Sequence, residues 1–268
     1  MSDKEKQTAE VPEELRGRRR LSQSDSFCFS CHPGLPCFTD CCADVNIMLT
    51  PVDVLRLARQ RGLSTRAFLD QHALMPITKD LHLPVVMLKM GEEPDKRCPF
   101  VGPDGCTVYE KRPWSCRMYP VAAAVPPARA GVEPQTEHFL LEDDFCKGHG
   151  SDGEWTVASW RADQKVDEQE HLERGFREIV SHPWFIGGRQ LNPKQIELFF
   201  TGCYDLDTFR RFVLKSTFLQ RFAIEDELVE QLKTDDEALL KFAYRWLRFA
   251  LFAEPTLTLR AEAEGAAR

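Results

Sequence analysis

Eight of the chain's ten cysteines lie between Cys31 and Cys146, and Cys28 sits just before them. Small secreted domains use such densities to staple a weak core with disulfides. A chain of 268 residues with 43% hydrophobic content can bury a core without staples. Its first residues, MSDKEKQTAEVPEELRGRRR, contain no apolar run of the kind a secretory signal requires. A soluble cytoplasmic protein is therefore expected, and clustered thiols in a reducing compartment more often hold a metal than pair as disulfides. The net charge of −7 argues against a general nucleic-acid binder, which needs a basic face. The longest apolar runs, near Leu83–Leu88 and Val121–Val125, are far too short to span a bilayer.

The pattern along the chain predicts an α+β protein: an irregular Cys-rich metal-binding domain with short helices and a small sheet, followed by an α-helical half. Residues 1–25 read as a disordered polar tail, and Arg18-Arg19-Arg20 as part of its solvated face. Residues 26–150 carry the cysteines, 151–257 form the helical region, and 258–268 read as a flexible tail. Thr50-Pro51-Val52-Asp53 has the residues of a helix start, and Gly62 of its stop. Ser64 opens a second helix to about His72. Leu83–Lys89, Cys106–Tyr109, Met118–Ala123 and Glu137–Leu141 read as strands. Val125–Pro134 reads as a joint. Trp155–Gly175 reads as one helix, Asn192 caps another over Pro193–Phe200, and a further apolar face starts near Asp205. Leu239, Ala243, Trp246, Leu247 and Ala250 recur at helical spacing, as a buried helix face requires.

The cysteines fall into two groups. The first is Cys28, Cys31, Cys37, Cys41 and Cys42; the second is Cys98, Cys106, Cys116 and Cys146. Pro33, Gly34, Pro36, Pro99, Gly102, Pro103 and Gly105 punctuate them, as irregular backbone wrapping a metal demands. An all-sulfur donor set is soft and favours zinc or iron–sulfur over magnesium, calcium or manganese. Four thiolates with Zn²⁺, or with an oxidised 4Fe–4S core, carry about −2 charge. Arg112, Arg117 and Lys147 stand beside ligand candidates and either offset that charge or are ordinary surface bases. Neighbouring side chains diverge, so Cys41-Cys42 suits two centres, or one ligand and one packing thiol. Eight sulfurs could fill two four-sulfur sites or one cluster with spare thiols. Cys28 and Cys203 read as non-ligands. His32 and His149 are alternative ligands or solvent-facing side chains. The radical-SAM and ferredoxin cysteine runs are absent, as are the glycine-rich nucleotide loops.

Two ordered motifs carry a resemblance. Cys31, then Cys37-Phe38-Thr39-Asp40-Cys41-Cys42, Ile47, Leu49-Thr50-Pro51, Asp53-Val54 and Arg56-Leu57 resemble the opening motif of the YkgJ-type cysteine-cluster proteins, the zinc- or iron-chelating CxxCxxCC domain. Cys98-Pro99-Phe100, Gly105-Cys106, Tyr109-Glu110, Arg112-Pro113, Cys116-Arg117 and Tyr119-Pro120 resemble the second motif. The resemblance covers about residues 28–150. It implies a metal site built from Cys31, Cys37, Cys41, Cys42, Cys98, Cys106, Cys116 and Cys146, holding an iron–sulfur cluster (4Fe–4S) or Zn²⁺. The five residues between Cys31 and Cys37 depart from the common spacing and leave Cys28 and Cys31 both open as first ligand. The expected function is metal binding through clustered thiolates. One alternative, implied by similarity to flagellin lysine N-methylases, is S-adenosylmethionine-dependent methylation of a protein substrate. The other is a zinc-structured module that binds a protein partner. No nucleic acid or membrane partner is expected.

Overall fold

The computed structural model describes residues 12–76, 83–124, 135–186 and 188–260. The fold is α+β, with short separate sheets and a helical majority. Two compact units divide the chain. One gathers the described residues up to Ile47 with Met90–Gln169; the other gathers Met48–Lys89 with the described residues from Glu170 onward. The division departs from the linear boundary at residue 150 read from composition. Residues 48–89 go with the helical unit, and 151–169 go with the unit that carries the cysteines.

The cysteine-bearing unit is built on a three-stranded antiparallel sheet in the order Arg19–Leu21, Glu137–Leu140, Val121–Ala124. Arg19 pairs with Leu140, and Val121 pairs with Leu140 from the other side. The tail expected over residues 1–25 is thus partly a strand. Leu21 is buried, Arg20 lies over the Phe139 ring and pairs with Glu137, and Arg18 pairs with Asp143 at 2.8 Å. A strand of three residues gives no period to read. Ser26–Cys28 pairs antiparallel with Glu154–Thr156. Leu21, Phe27, Phe29, Met118, Val121, Leu140, Val157, Trp160 and Val166 form the core of this unit, and Cys146 packs against its edge. Trp155 and Trp160 donate their indole N–H groups to Phe29 O and Met118 O, which ties residues 151–169 to this core.

Several local expectations change. The strand expected over Cys106–Tyr109 is a two-residue pairing, Gly105–Cys106 with Val101–Gly102, followed by a 3-10 turn. Met118 ends the helix Trp114–Met118, and the strand begins at Val121. The helix expected over Trp155–Gly175 is broken into Val157–Asp163, Val166–Leu172 and Arg174–Val180, with Lys165 at φ +55° at the first break. Val125–Pro134 lies outside the described residues.

In the helical unit, Pro51–Gln60 has a full capping box. The Thr50 side chain accepts from Asp53 N, and the Asp53 carboxylate accepts from Thr50 N. Val52, Val54, Leu55, Leu57 and Ala58 are its buried face. Ser64 caps Thr65–His72. The strand expected over Leu83–Lys89 is confined to Met87–Leu88, paired with Ala73–Leu74. Asn192 caps Pro193–Cys203, Asp205 caps Leu206–Lys215, and Asp235 caps Asp236–Phe252. Phe199, Phe209, Leu239, Leu240 and Phe242 fill the core. Gly202 lets the Leu247 side chain approach to 3.0 Å of where a Cβ would stand. Of the expected tail over 258–268, Phe222 bridges Leu259 and Arg260 N donates to Arg221 O; the rest lies outside the described residues. No helix among the described residues is long and apolar enough to cross a membrane.

Candidate metal centre

All ten cysteines are free, and Cys28 through Cys146 fall in the same unit. Distant segments are brought together by backbone pairing. Cys98 N donates to Cys42 O at 2.7 Å, and Ala43 bridges Arg97. Val101 N donates to Cys98 O, and the pairing of Val101 with Cys106 turns the chain back. The tight return requires Gly105, at φ +113° with the Phe38 ring 3.0 Å from where a Cβ would stand. On the other side, Ser30 N donates to Gly148 O, which sets Cys31 beside the Cys146 turn. Lys147 N donates to Cys37 Sγ at 3.1 Å.

The thiols lie within electrostatic reach of one another in a definite order. Cys31 faces Cys41, Cys146 and Cys37. Cys42 faces Cys41, Cys116 and Cys98, and Cys98 faces Cys106. The sulfurs of Cys41 and Cys42 share a hydrogen bond. Both lie in the 3-10 turn Asp40–Cys42. Cys28 stands apart in its strand, opposite Glu154. Cys203 is buried in the other unit.

Desolvation, ahead of repulsion from Cys41, Cys146 and Cys37, pushes the Cys31 thiol up to about 11, although its side chain is largely exposed by area. Desolvation also raises Cys98 and Cys106. Backbone N–H groups oppose it: Phe100 on Cys98 and Val108 on Cys106, each two residues beyond its cysteine. In the Cys41–Cys42 pair one sulfur accepts from the other, so the first proton leaves more readily than from a lone thiol and the second less readily. Backbone amides aimed at sulfur favour the thiolate that a metal requires.

Two more polar side chains are shielded in this unit. Tyr119 is half-buried, and its hydroxyl faces the Cys146 thiol without an aligned hydrogen bond. His149 packs its ring 5.4 Å from Phe29, with both ring nitrogens shielded and without a hydrogen-bond partner. It is therefore not the solvent-facing side chain that composition suggested. His32 is exposed, and its Nδ1 accepts from Gly34 N. Lys147 directs its Nζ to Asp144 O, so its contribution to the sulfurs comes from its amide. Arg112 and Arg117 are buried rather than surface bases. Sequence reasoning missed Tyr119, Gln164 and the amide donors. The readable signal for the donors was the step of two residues in Cys98-Pro99-Phe100 and Cys106-Thr107-Val108.

Among the described residues no group of three or more Cys, His, Asp or Glu side chains is already arranged to hold a metal ion. The sulfurs are neighbours at electrostatic range, not the corners of a finished tetrahedron. The donor set nevertheless fits a soft metal: free thiols, amide N–H groups on the sulfurs, and the shielded Tyr119 hydroxyl near Cys146. No curated protein and no solved structure matches the chain. A family model does match residues 30–147, a span that takes in Cys31 through Cys146 and leaves out Cys28. That model is the CxxCxxCC family's, described as a putative zinc- or iron-chelating domain.

Proposed function

We propose that this chain is a metal-binding protein in which Cys31, Cys37, Cys41, Cys42, Cys98, Cys106, Cys116 and Cys146 hold an iron–sulfur cluster or zinc as thiolates. The observation that carries this reading is the gathering of these eight free thiols, from stretches far apart in sequence, around the Cys41–Cys42 turn. The amides of Lys147, Phe100 and Val108, each directed at a sulfur, support it. The neighbour relations favour two four-sulfur groups that meet at one peptide bond. Cys31, Cys37, Cys41 and Cys146 form one group; Cys42, Cys98, Cys106 and Cys116 form the other. An iron–sulfur occupant supplies electron transfer, and zinc supplies structural closure.

The deciding measurement is the iron, zinc and acid-labile sulfide content of full-length protein purified without oxygen. Iron and sulfide in equal amounts, with visible absorption, establish a cluster. Colourless protein with stoichiometric zinc establishes a zinc centre. Neither metal above trace level overturns the reading.

A further inference from the structure

On the helix Asp236–Phe252, Glu237, Lys241 and Arg245 follow one another at helical spacing, and all three are exposed. With the helix Asp226–Thr234 they border a cleft of about 310 Å³. That volume is at the lower end of small-molecule sites, roughly 300–1,000 Å³. Leu228, Ala238 and Phe242 give the cleft an apolar lining. The charges around it are sorted. Asp235 and Glu237 come first along the chain, and Lys241 and Arg245 follow. At the rise of an α-helix, Glu237 stands about 6 Å before Lys241 and about 12 Å before Arg245. A Glu with a Lys four residues on usually pairs with it. Here the Glu237 carboxylate and the Lys241 ammonium have no hydrogen bond or ion pair among the described residues, and neither has the Gln231 side chain in the same lining. Arg245 directs one nitrogen to Thr256 O at 3.3 Å and keeps its other donors. Asp235 Oδ1 accepts from Glu237 N and Ala238 N, which leaves Oδ2. Where Glu237 and Lys241 meet Val52, Leu55 and Leu240 instead, the open volume is about 20 Å³, room for a water and no more.

We propose that the cleft between Asp226–Thr234 and Asp236–Phe252 binds a short, extended zwitterion with an apolar middle, the chemistry of a free tripeptide. Its amino end faces Glu237 and Asp235, its carboxylate faces Lys241 and Arg245, and its central side chain lies on Leu228, Ala238 and Phe242. Gln231 supplies a donor and an acceptor for one peptide unit. Three extended residues span at most about 10 Å, which matches the separation of the acidic from the basic side chains. A ligand with a single charge leaves one of the two sets without a partner. The site contains no cysteine, and the inference does not rest on chelation.

The test titrates the full-length chain, labelled at its Leu and Ala methyl groups, with the tripeptide Ala-Leu-Ala and follows the methyl resonances. Saturable shifts at Leu228 and Ala238, with Leu55 unmoved and a Kd of about 1 mM or tighter, are expected. N-acetylated and C-amidated peptide, each lacking one charge, are expected to bind about threefold more weakly. Glu237→Gln is expected to erase the preference for the free amine and keep the preference for the free carboxylate. Lys241→Gln combined with Arg245→Gln is expected to do the reverse. All three side chains are exposed, so both variants are expected to melt as wild type does. No shift at Leu228 and Ala238 up to about 10 mM peptide overturns the proposal. So does capped peptide that binds as tightly as free peptide, or a preference for free ends that survives in both variants.

Discussion

Cys203 and Cys37 share a side chain and nothing else. Cys203 is fully buried at the end of the helix Pro193–Cys203, and burial alone raises its thiol. Cys37 is half-buried, with an amide N–H directed at its sulfur and Cys31 beside it. One is a small apolar residue in a helical core; the other is a proposed metal ligand with an amide donor on its sulfur. Cys37→Ser and Cys116→Ser are therefore expected to lose most of the bound metal, whereas Cys203→Ser keeps the wild-type amount and loses about 1–3 kcal/mol of stability through a buried hydroxyl. Elemental analysis and thermal melting of the three purified variants check this, and equal metal content in all three refutes the ligand assignment. At this scale the cysteines were legible because their density is abnormal. Arg112 and Gln164 were not legible as a pair. They lie fifty-two positions apart, and only folding reveals that both guanidiniums beside Cys116 are buried.

Elements were legible in proportion to their length and their caps. Pro51–Gln60 and Pro193–Cys203 announce themselves through Thr50-Pro51-Val52-Asp53 and Asn192-Pro193, and both have full capping boxes. Thr50 also donates to Glu173. Thr50→Ala is expected to cost about 1–2 kcal/mol, seen as a lower denaturant midpoint. Strands of two to four residues were misread because so short a stretch carries no period, and the break at Lys165 leaves no proline or glycine to mark it.

Charge ties three helices of the helical unit together. Arg59 on Pro51–Gln60 pairs with Asp207 on Leu206–Lys215 at 3.3 Å and with Asp236 on Asp236–Phe252 at 2.6 Å. Burial by itself raises both carboxyls, but Thr65 and Arg59 at Asp207, and Arg59 and Arg210 at Asp236, outweigh it and hold both below the ordinary range. A carboxyl whose folded value is depressed adds stability above its unfolded value and loses it as pH falls through the folded value. The melting temperature of this unit is thus expected to be steady from pH 7 to about 5 and to fall below about 4. Arg59→Met is expected to be less stable at pH 7, with a shallower acid decline. Circular dichroism melts across this range decide it; parallel declines in both proteins would remove the role given to Arg59.

For the whole molecule, the contrast is in how each unit excludes water. The helical unit buries Phe199, Phe209, Leu239, Leu240 and Phe242 completely or nearly so. In the cysteine-bearing unit no residue from 31 to 47 is buried, and from 90 to 111 only Phe100, Gly105 and Val108 are. Ordering a residue costs about 1–2 kcal/mol of conformational entropy, and stretches without buried apolar surface have little hydrophobic gain to offset it. In the proposed reading, a metal joining Cys31, Cys37, Cys41 and Cys42 to Cys98, Cys106, Cys116 and Cys146 would supply the missing closure, because its binding energy would become folding energy. Composition could show that cysteines replace a core here. It could not show that Pro51–Gln60 and Thr65–His72, between the two cysteine groups, belong to the other unit. Chelation under reducing conditions is therefore expected to raise hydrogen exchange across residues 31–47 and 90–111, including the amide of Cys98 that bonds to Cys42 O. The amides of Val54, Phe209 and Leu247, buried in the helical unit, are expected to keep their protection. Exchange mass spectrometry before and after metal removal reads both regions in one experiment. Unchanged exchange at 31–47 would mean that these stretches are ordered by packing alone, and the sulfurs would then lose their structural role.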